Sequence, residues 1–248
     1  MVASLDPVTP VIADADTGFG GPAMVARTIY QYHMAGIAAC HIEDQVMTKR
    51  CGHLTGKQVV SREEFVTRIR AAVIARDQIP GGSDFVIIGR TDSAQELGMD
   101  EAIYRLKLAA AAGADVCFIE GVKTADLLRD TVAKLAPVPV LVNVISGGLT
   151  PSFTYFEAEE MGAKIISAST PNVRLLWPCT DHPTLVFSLV SCVAAYHSIS
   201  SAMQSLKKTG TDFSSAKGMD PKAFFNVMGL DQVVELDAQA GGSAFASI

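Results

Sequence analysis

Asp14-Ala15-Asp16 sets two carboxylates two residues apart at the end of a short apolar run, Pro10–Ala15. Side chains two apart on a strand share a face, so both carboxylates project the same way. Glu43 closes a second apolar run, Ala38–Ile42. Three oxygen donors without His or Cys suit a hard cation, Mg2+ or Mn2+, held through one or two direct carboxylates and several waters. The alternative is that each carboxylate caps the helix after its strand, and spacing alone does not separate the two.

Lys49-Arg50-Cys51-Gly52-His53 places a thiol between two cations and an imidazole, outside any apolar run. Such neighbours favour the thiolate, which suits a nucleophile or a proton donor and acceptor near neutral pH. A zinc site built from Cys40, His41, Cys51 and His53 is the competing reading. It is disfavoured because adjacent strand residues such as Cys40 and His41 point to opposite faces. Cys40, Cys117 and Cys192 lie in apolar surroundings and read as inert core residues. Arg90 follows Phe-Val-Ile-Ile-Gly and Asn143 follows Val-Leu-Val, each at a strand tip where an anionic group could be met. A guanidinium gives a carboxylate two parallel hydrogen bonds, fixing orientation as well as charge, although a structural bond to a neighbouring loop would use the same residues. Gly18-Phe-Gly20-Gly21-Pro22 is not a dinucleotide fingerprint, and reads as a tight turn with Pro at the first helical position.

The elements that must position these groups follow from the hydrophobic pattern. Strands are expected over Pro10–Ala15, Ala38–Ile42, Phe85–Gly89, Asp115–Ile119, Val138–Val142 and Lys164–Ser167. Helices are expected over Pro22–Ala35, Arg62–Arg76, Met99–Ala112, Thr124–Leu135 and Phe153–Met161. Consecutive βα repeats imply parallel strands and an α/β fold, because each helix carries the chain back to begin the next strand alongside. Polar residues cluster at the C-terminal tips: Asp14 and Asp16, His41 and Glu43, Arg90 and Asp92, Glu120, Asn143. In a parallel barrel those tips share one face, where active sites lie. Six strands are expected here, whereas a closed barrel has about eight. Residues 170–183, with three prolines and the only Trp, read as an irregular insertion. Leu185–Lys207 reads as one long helix, Pro221–Met228 as a shorter one, and the last residues as a tail.

The 248 residues fit one domain, here 1–248. Apolar residues make up 49% and charged residues 19%, which excludes disorder and leaves room for surface covered by other subunits. Net charge is −6 and the pI near 5.3, so there is no basic field for nucleic acid or an anionic membrane. The apolar runs fall short of the ~20 residues needed to span a bilayer. Five scattered cysteines fit a reducing compartment. A cytoplasmic location is expected, with mitochondrial or peroxisomal ones open.

Taken together, Val-Ile-Ala-Asp14-Ala-Asp16-Thr-Gly-Phe-Gly-Gly, His41-Ile-Glu43-Asp-Gln, Lys49-Arg50-Cys51-Gly52-His53 and Gly-Arg90-Thr-Asp92 resemble the isocitrate lyase and phosphoenolpyruvate mutase superfamily. The resemblance runs from Pro10 to about Ser169 and resumes near Phe187. The cysteine pentad, its most specific element, is similar to that of the carbon–carbon bond-cleaving branch: 2-methylisocitrate lyase, dimethylmalate lyase and the oxaloacetate hydrolases. The resemblance implies a (β/α)8 TIM-type barrel, here lacking its first two βα units, followed by C-terminal helices, and a homotetramer with helix exchange. It implies Mg2+ (or Mn2+) bound by Asp14 directly and by Asp16 and Glu43 through water. Cys51 would be the acid/base thiol tuned by His53 and Lys49, and Arg90 would hold substrate carboxylate and oxyanion. Gly52, Glu120, Asn143 and Thr150 would complete the substrate pocket. The implied reaction is cleavage of a malate- or isocitrate-type 2-hydroxy acid to an α-keto acid and a carboxylate. Oxaloacetate hydrolysis and a catalytically inactive truncated barrel are the alternatives. The hydrolases of the family carry a serine just before the proline that here is Pro151, so Thr150 leans towards a lyase. The 170–183 insertion falls where the family passes straight into its next helix.

Overall fold

The computed structural model describes residues 3–4, 8–52, 56–144, 150–151, 153–168, 184–187, 190–211, 221–227 and 229–242. His53 and the 170–183 stretch, which carried expectations above, lie outside the described residues. The chain separates into two compact units, Met1–Val190 and Ser191–Ile248.

The first unit alternates strand and helix. Its elements are β1 (Ile12–Asp14), α1 (Pro22–Met34), β2 (Ala39–Glu43), α2 (Arg62–Asp77), β3 (Val86–Thr91), α3 (Ala94–Leu97), α4 (Met99–Ala111), β4 (Val116–Ile119), α5 (Ala125–Leu135), β5 (Val140–Val144), α6 (Tyr155–Glu160), β6 (Ile165–Ala168) and β7 (Thr184–Phe187). The strands form one sheet in the order β1-β2-β3-β4-β5-β6-β7, every pair parallel. A parallel strand order that never reverses carries the helices to one side of the sheet and makes an arc of a barrel. A doubly wound sheet would reverse its order part way. Local sequence sets the helix starts. Ser61 and Thr124 accept backbone N–H bonds at the N-termini of α2 and α5, Thr154 and Glu157 form a reciprocal capping box on α6, and Pro22 opens α1.

One expectation is corrected. Thr184–Phe187 is not the start of a helix but a seventh strand, paired in register with Ile165–Ala168. A short apolar run has no period that separates strand from helix, and the free edge of β6 decides the matter. The helix that follows, α7, covers Val190–Thr209. The second unit holds α7, α8 (Pro221–Val227) and α9 (Leu230–Gln239), the last of which the sequence pattern did not signal. No described helix is long and apolar enough to cross a membrane.

The period of two along each strand sorts the core into two layers. Cys40, Ile42, Ile87, Cys117, Ile119, Val140 and Val142 pack with Phe65, Ile69, Leu106 and Leu128 of the helices. Each fully buried side chain of this size contributes roughly 1.5–3 kcal/mol. The alternate residues Ala39, Ile88, Val116, Phe118 and Leu141 make a separate cluster on the opposite face, with Ile12 packed against it. Two steps further along the same face of each strand stand Asp14, His41, Arg90, Glu120 and Asn143, with Glu43 two beyond His41. The apolar layer is therefore the floor of a site whose walls are the strand tips.

Candidate active site

Register brings the tips together: Asp14 lies opposite His41, Glu43 opposite Arg90, and Arg90 opposite Phe118. Arg90 is the centre of the arrangement. Its guanidinium donates from Nε to Asp92 Oδ2 (2.9 Å) and from Nη2 to Asp92 Oδ1 (3.1 Å), and it stacks 4.9 Å above the Phe118 ring. Glu43 Oε2 lies 3.4 Å from Nε and Glu120 Oε2 lies 3.5 Å from Nη2. All four side chains are buried. Burial alone would lower the Arg90 pKa, but Asp92, Glu43 and Glu120 outweigh it and hold the guanidinium more firmly charged than usual.

Glu120 accepts the Gly121 amide (3.0 Å) and the Asn143 side-chain amide (3.1 Å). Asn143 Oδ1 and Thr150 Oγ1 are buried and have no hydrogen-bond partner among the described residues, the condition of polar groups that meet a ligand or water. The Cys51 segment closes on this pocket. A Cβ at Gly52 would stand 2.6 Å from Arg90 Nη2, 2.7 Å from Glu120 Cγ and 2.9 Å from Asp92 Oδ1, so only glycine lets the backbone approach so near. The Gly52 carbonyl accepts a hydrogen bond from buried Lys57 Nζ (2.5 Å), which also lies 3.4 Å from Asp92 Oδ1. Cys51 is exposed and unpaired in any disulfide.

The carboxylates of β1 lie to one side. Asp16 has a left-handed φ of 48°, and its N–H donates back to Asp14 Oδ1 at 2.7 Å. Burial pushes the Asp14 pKa up, but His41, the Asp16 amide, Lys49 and Arg90 together bring it below the usual carboxylate range. His41 is itself pushed down to about 4 by burial, so at neutral pH its ring is uncharged and its 3.5 Å approach to Asp14 is a dipolar contact. Burial pushes the Glu43 carboxyl up to about 7, with Arg90 and Lys49 opposing the shift. The Lys49 ammonium contacts Asp16 Oδ1 and lies 3.3 Å from Glu43 Oε1. Its charge is thus turned to the carboxylates.

Among the described residues, no three His, Cys, Asp or Glu side chains converge into a ready metal-holding group. The donors nonetheless fit a hard cation. Asp14, Asp16 and Glu43 offer only oxygen, Glu43 Oε2 is buried without a hydrogen bond, and a positive charge, the Lys49 ammonium, already sits between Asp16 and Glu43.

Cys40 and Cys117 are buried on the helix-facing side, where burial pushes both thiols up to about 12. Both are buried, as the sequence indicated, and the Cys192 side chain lies outside the described residues. Residues missed by the sequence reading are Lys57, Gln45 and Asp44. Gln45 donates from Nε2 to Glu43 Oε1 (3.1 Å) and to the Arg50 carbonyl (3.0 Å), while its Oε1 accepts the Arg50 amide (3.1 Å). It lies two residues beyond Glu43, just past the end of β2, where it bridges to Val59. Asp44 accepts Thr91 Oγ1 and the Asp92 amide and pairs with Arg105, fixing the turn that carries Asp92. Nothing in the local sequence shows that Lys57 is buried.

Comparison with known proteins agrees with this geometry. Residues 1–183 match the family model described as phosphoenolpyruvate phosphomutase. The chain is 42% identical over 164 residues to 2,3-dimethylmalate lyase of Eubacterium barkeri, covering 66% of this chain and 55% of that protein. It is similar to a structure of oxaloacetate acetylhydrolase in complex with the inhibitor 3,3-difluorooxalacetate, with a TM-score of 0.84 and 43% identity over 99% of this chain and 75% of that one. A phosphonopyruvate hydrolase complex with oxalate and Mg2+ is similar at a TM-score of 0.72 and 25% identity, over 96% of this chain and 74% of that one. The chain spans about half the length of the curated relatives it matches. With a parallel barrel arc and charged strand tips in the expected register, and a family match over most of its length, the chain belongs to the phosphoenolpyruvate mutase and isocitrate lyase superfamily.

Proposed function

We propose that this chain is a Mg2+- or Mn2+-dependent carbon–carbon lyase that cleaves a malate- or isocitrate-type 2-hydroxy acid into an α-keto acid and a carboxylate. The observation that carries the reading is the approach of Gly52, next to the exposed Cys51 thiol, to buried Arg90 and Glu120. A proton-transferring group then borders the site that can hold a carboxylate.

Arg90 orients one carboxylate and the oxygen that becomes the keto group, with Asn143, Glu120 and Thr150 shaping the pocket around it. Fixed donors aimed at a developing negative charge need no reorganisation as it forms. As the bond breaks, the substrate hydroxyl gives its proton to solvent water and becomes a carbonyl, and the electron pair of the broken carbon–carbon bond passes to the carbon beside the other carboxylate. Cys51 gives a proton to that carbon and recovers one from solvent, in the segment it shares with Lys49 and His53. Asp14, Asp16 and Glu43 would hold the cation, which when bound supplies Lewis-acid charge to the keto-acid oxygen.

Oxaloacetate hydrolysis is the second reading, favoured by similarity to oxaloacetate acetylhydrolase at 43% identity. The implied homotetramer is supported by an exposed apolar row on α7, Tyr196, Ile199, Met203 and Leu206. A cytoplasmic location remains the expectation from composition. The test is product formation from dimethylmalate, methylisocitrate and oxaloacetate with Mg2+. Cys51→Ser should lower kcat far more than it raises KM, and Asp14→Ala should abolish metal-dependent turnover in a folded protein. Turnover undiminished by EDTA, or by alkylation of Cys51, would defeat the assignment.

A further inference from the structure

We infer that Lys49 is an internal counter-cation that competes with the divalent ion for Asp16 and Glu43, so that metal binding releases the Lys49–Gly52 segment from the carboxylates. The inference rests on the metal reading above and concerns what this chain does where that ion would bind.

Three observations support it. The ammonium reaches both Asp16 and Glu43, one from the turn after β1 and one from the tip of β2, and so bridges two of the three proposed ligands. Glu43 Oε1 is shared between Lys49 and Gln45, while its buried Oε2 has no hydrogen bond and only Arg90 Nε at 3.4 Å. The proposed cation would take those same oxygens, directly or through water, and two positive charges cannot occupy one carboxylate cradle without strong repulsion. Lys49 is also covalently next to Arg50, whose amide and carbonyl are clasped by Gln45, and three residues from Gly52, which lies on Arg90 and Glu120. Displacing the ammonium therefore acts on the backbone that carries Cys51. By linkage, if Lys49 lowers metal affinity by some factor, the metal lowers the hold of Lys49 by the same factor.

Mn2+ binding by calorimetry and amide hydrogen exchange across residues 46–52 test this without using turnover. Lys49→Met should tighten Mn2+ binding at least about tenfold, since one competing charge is removed from contact with two ligands. Lys49→Arg, which keeps the charge, should stay within about threefold of the parent. In the parent chain, saturating Mn2+ should speed exchange across 46–52, a measurement that needs no variant to fold. Equal affinity in the parent and Lys49→Met, weaker binding in Lys49→Met, or slower exchange with Mn2+ would each overturn the inference while leaving the metal assignment standing. Failure of both parent and Lys49→Met to bind Mn2+ would overturn the metal reading and this inference together. Binding by Lys49→Met alone would be the strongest support for competition.

Discussion

The tips of β3 and β4 and the tip of β1 carry the same kinds of charged side chain in opposite physical settings. Arg90, Asp92 and Glu120 are all but sealed from solvent, flanked by strands on both sides and covered by Gly52. The side chains of Asp14 and Asp16 are 51% and 39% exposed, at the end of and just beyond a strand that pairs only with β2 among the described residues. On the central strands each charge has a built-in partner that survives without ligand. At the edge Asp14 meets only the Asp16 amide and the His41 ring, while Asp16 shares the Lys49 ammonium with Glu43, the partner proposed above to give way to another cation. The difference is the one that the proposed substrate pocket and the proposed cation site would need, and four changes probe it.

The largest effect is expected from Arg90→Met. It leaves Asp92, Glu43 and Glu120 facing one another in a buried space, and removing one partner of a buried ionic group typically costs about 3–5 kcal/mol. Urea denaturation should show that loss; a loss under about 1 kcal/mol would mean the centre is solvated and the contrast with β1 is false.

Glu43 stands on the boundary between the two regions and should betray itself through pH. Its carboxyl is raised in the folded protein to about 7 from an ordinary 4.5. The folded state therefore holds its proton longer than the unfolded chain. The stabilising contribution is complete below about pH 4.5 and disappears as pH rises through about 7. In EDTA, unfolding free energy should fall between pH 5 and 8 in the parent more than in Glu43→Gln, by at most about 3 kcal/mol. Parallel pH profiles would remove Glu43 from the buried set.

Gly52→Ala should cost about 1–3 kcal/mol, the usual penalty of overpacking, because the added carbon meets Arg90 and Glu120. The segment must back away, so iodoacetamide should alkylate Cys51 at an altered rate in this variant. A crystal structure with the 50–52 backbone unmoved would break the idea of close apposition.

The smallest stability effect belongs to the edge. Asp16→Asn removes a half-exposed partner of Lys49, and such pairs are worth about 0–1 kcal/mol. Thermal unfolding should barely shift, while calorimetric Mn2+ affinity drops. A large destabilisation would show that the β1 tip is as interlocked as Arg90.

What could be read in the chain and what could not follows a physical line. The run of βα units, the parallel sheet and the candidate tips Asp14, Asp16, Glu43, Arg90, Glu120 and Asn143 were legible, because hydrophobic period and strand-end position are local properties. The KRCGH pentad was legible as chemistry but not as contacts. That Lys49 reaches Asp16 and Glu43 depends on where β2 sets its tip against β1.

The sequence by itself determined which residues share a face, since alternation along each strand leaves Cys40 to the helices and His41 to the site whatever the surroundings. It also determined that glycine stands beside the thiol. Only the tertiary structure decided that Thr184–Phe187 is a strand, because the edge of β6 supplies the hydrogen bonds that a four-residue run cannot provide itself. Only the tertiary structure, likewise, buried Lys57 and turned it between the Gly52 carbonyl and Asp92. Burial of a charge is a property of everything packed around it, and no local pattern encodes the partners that make it tolerable.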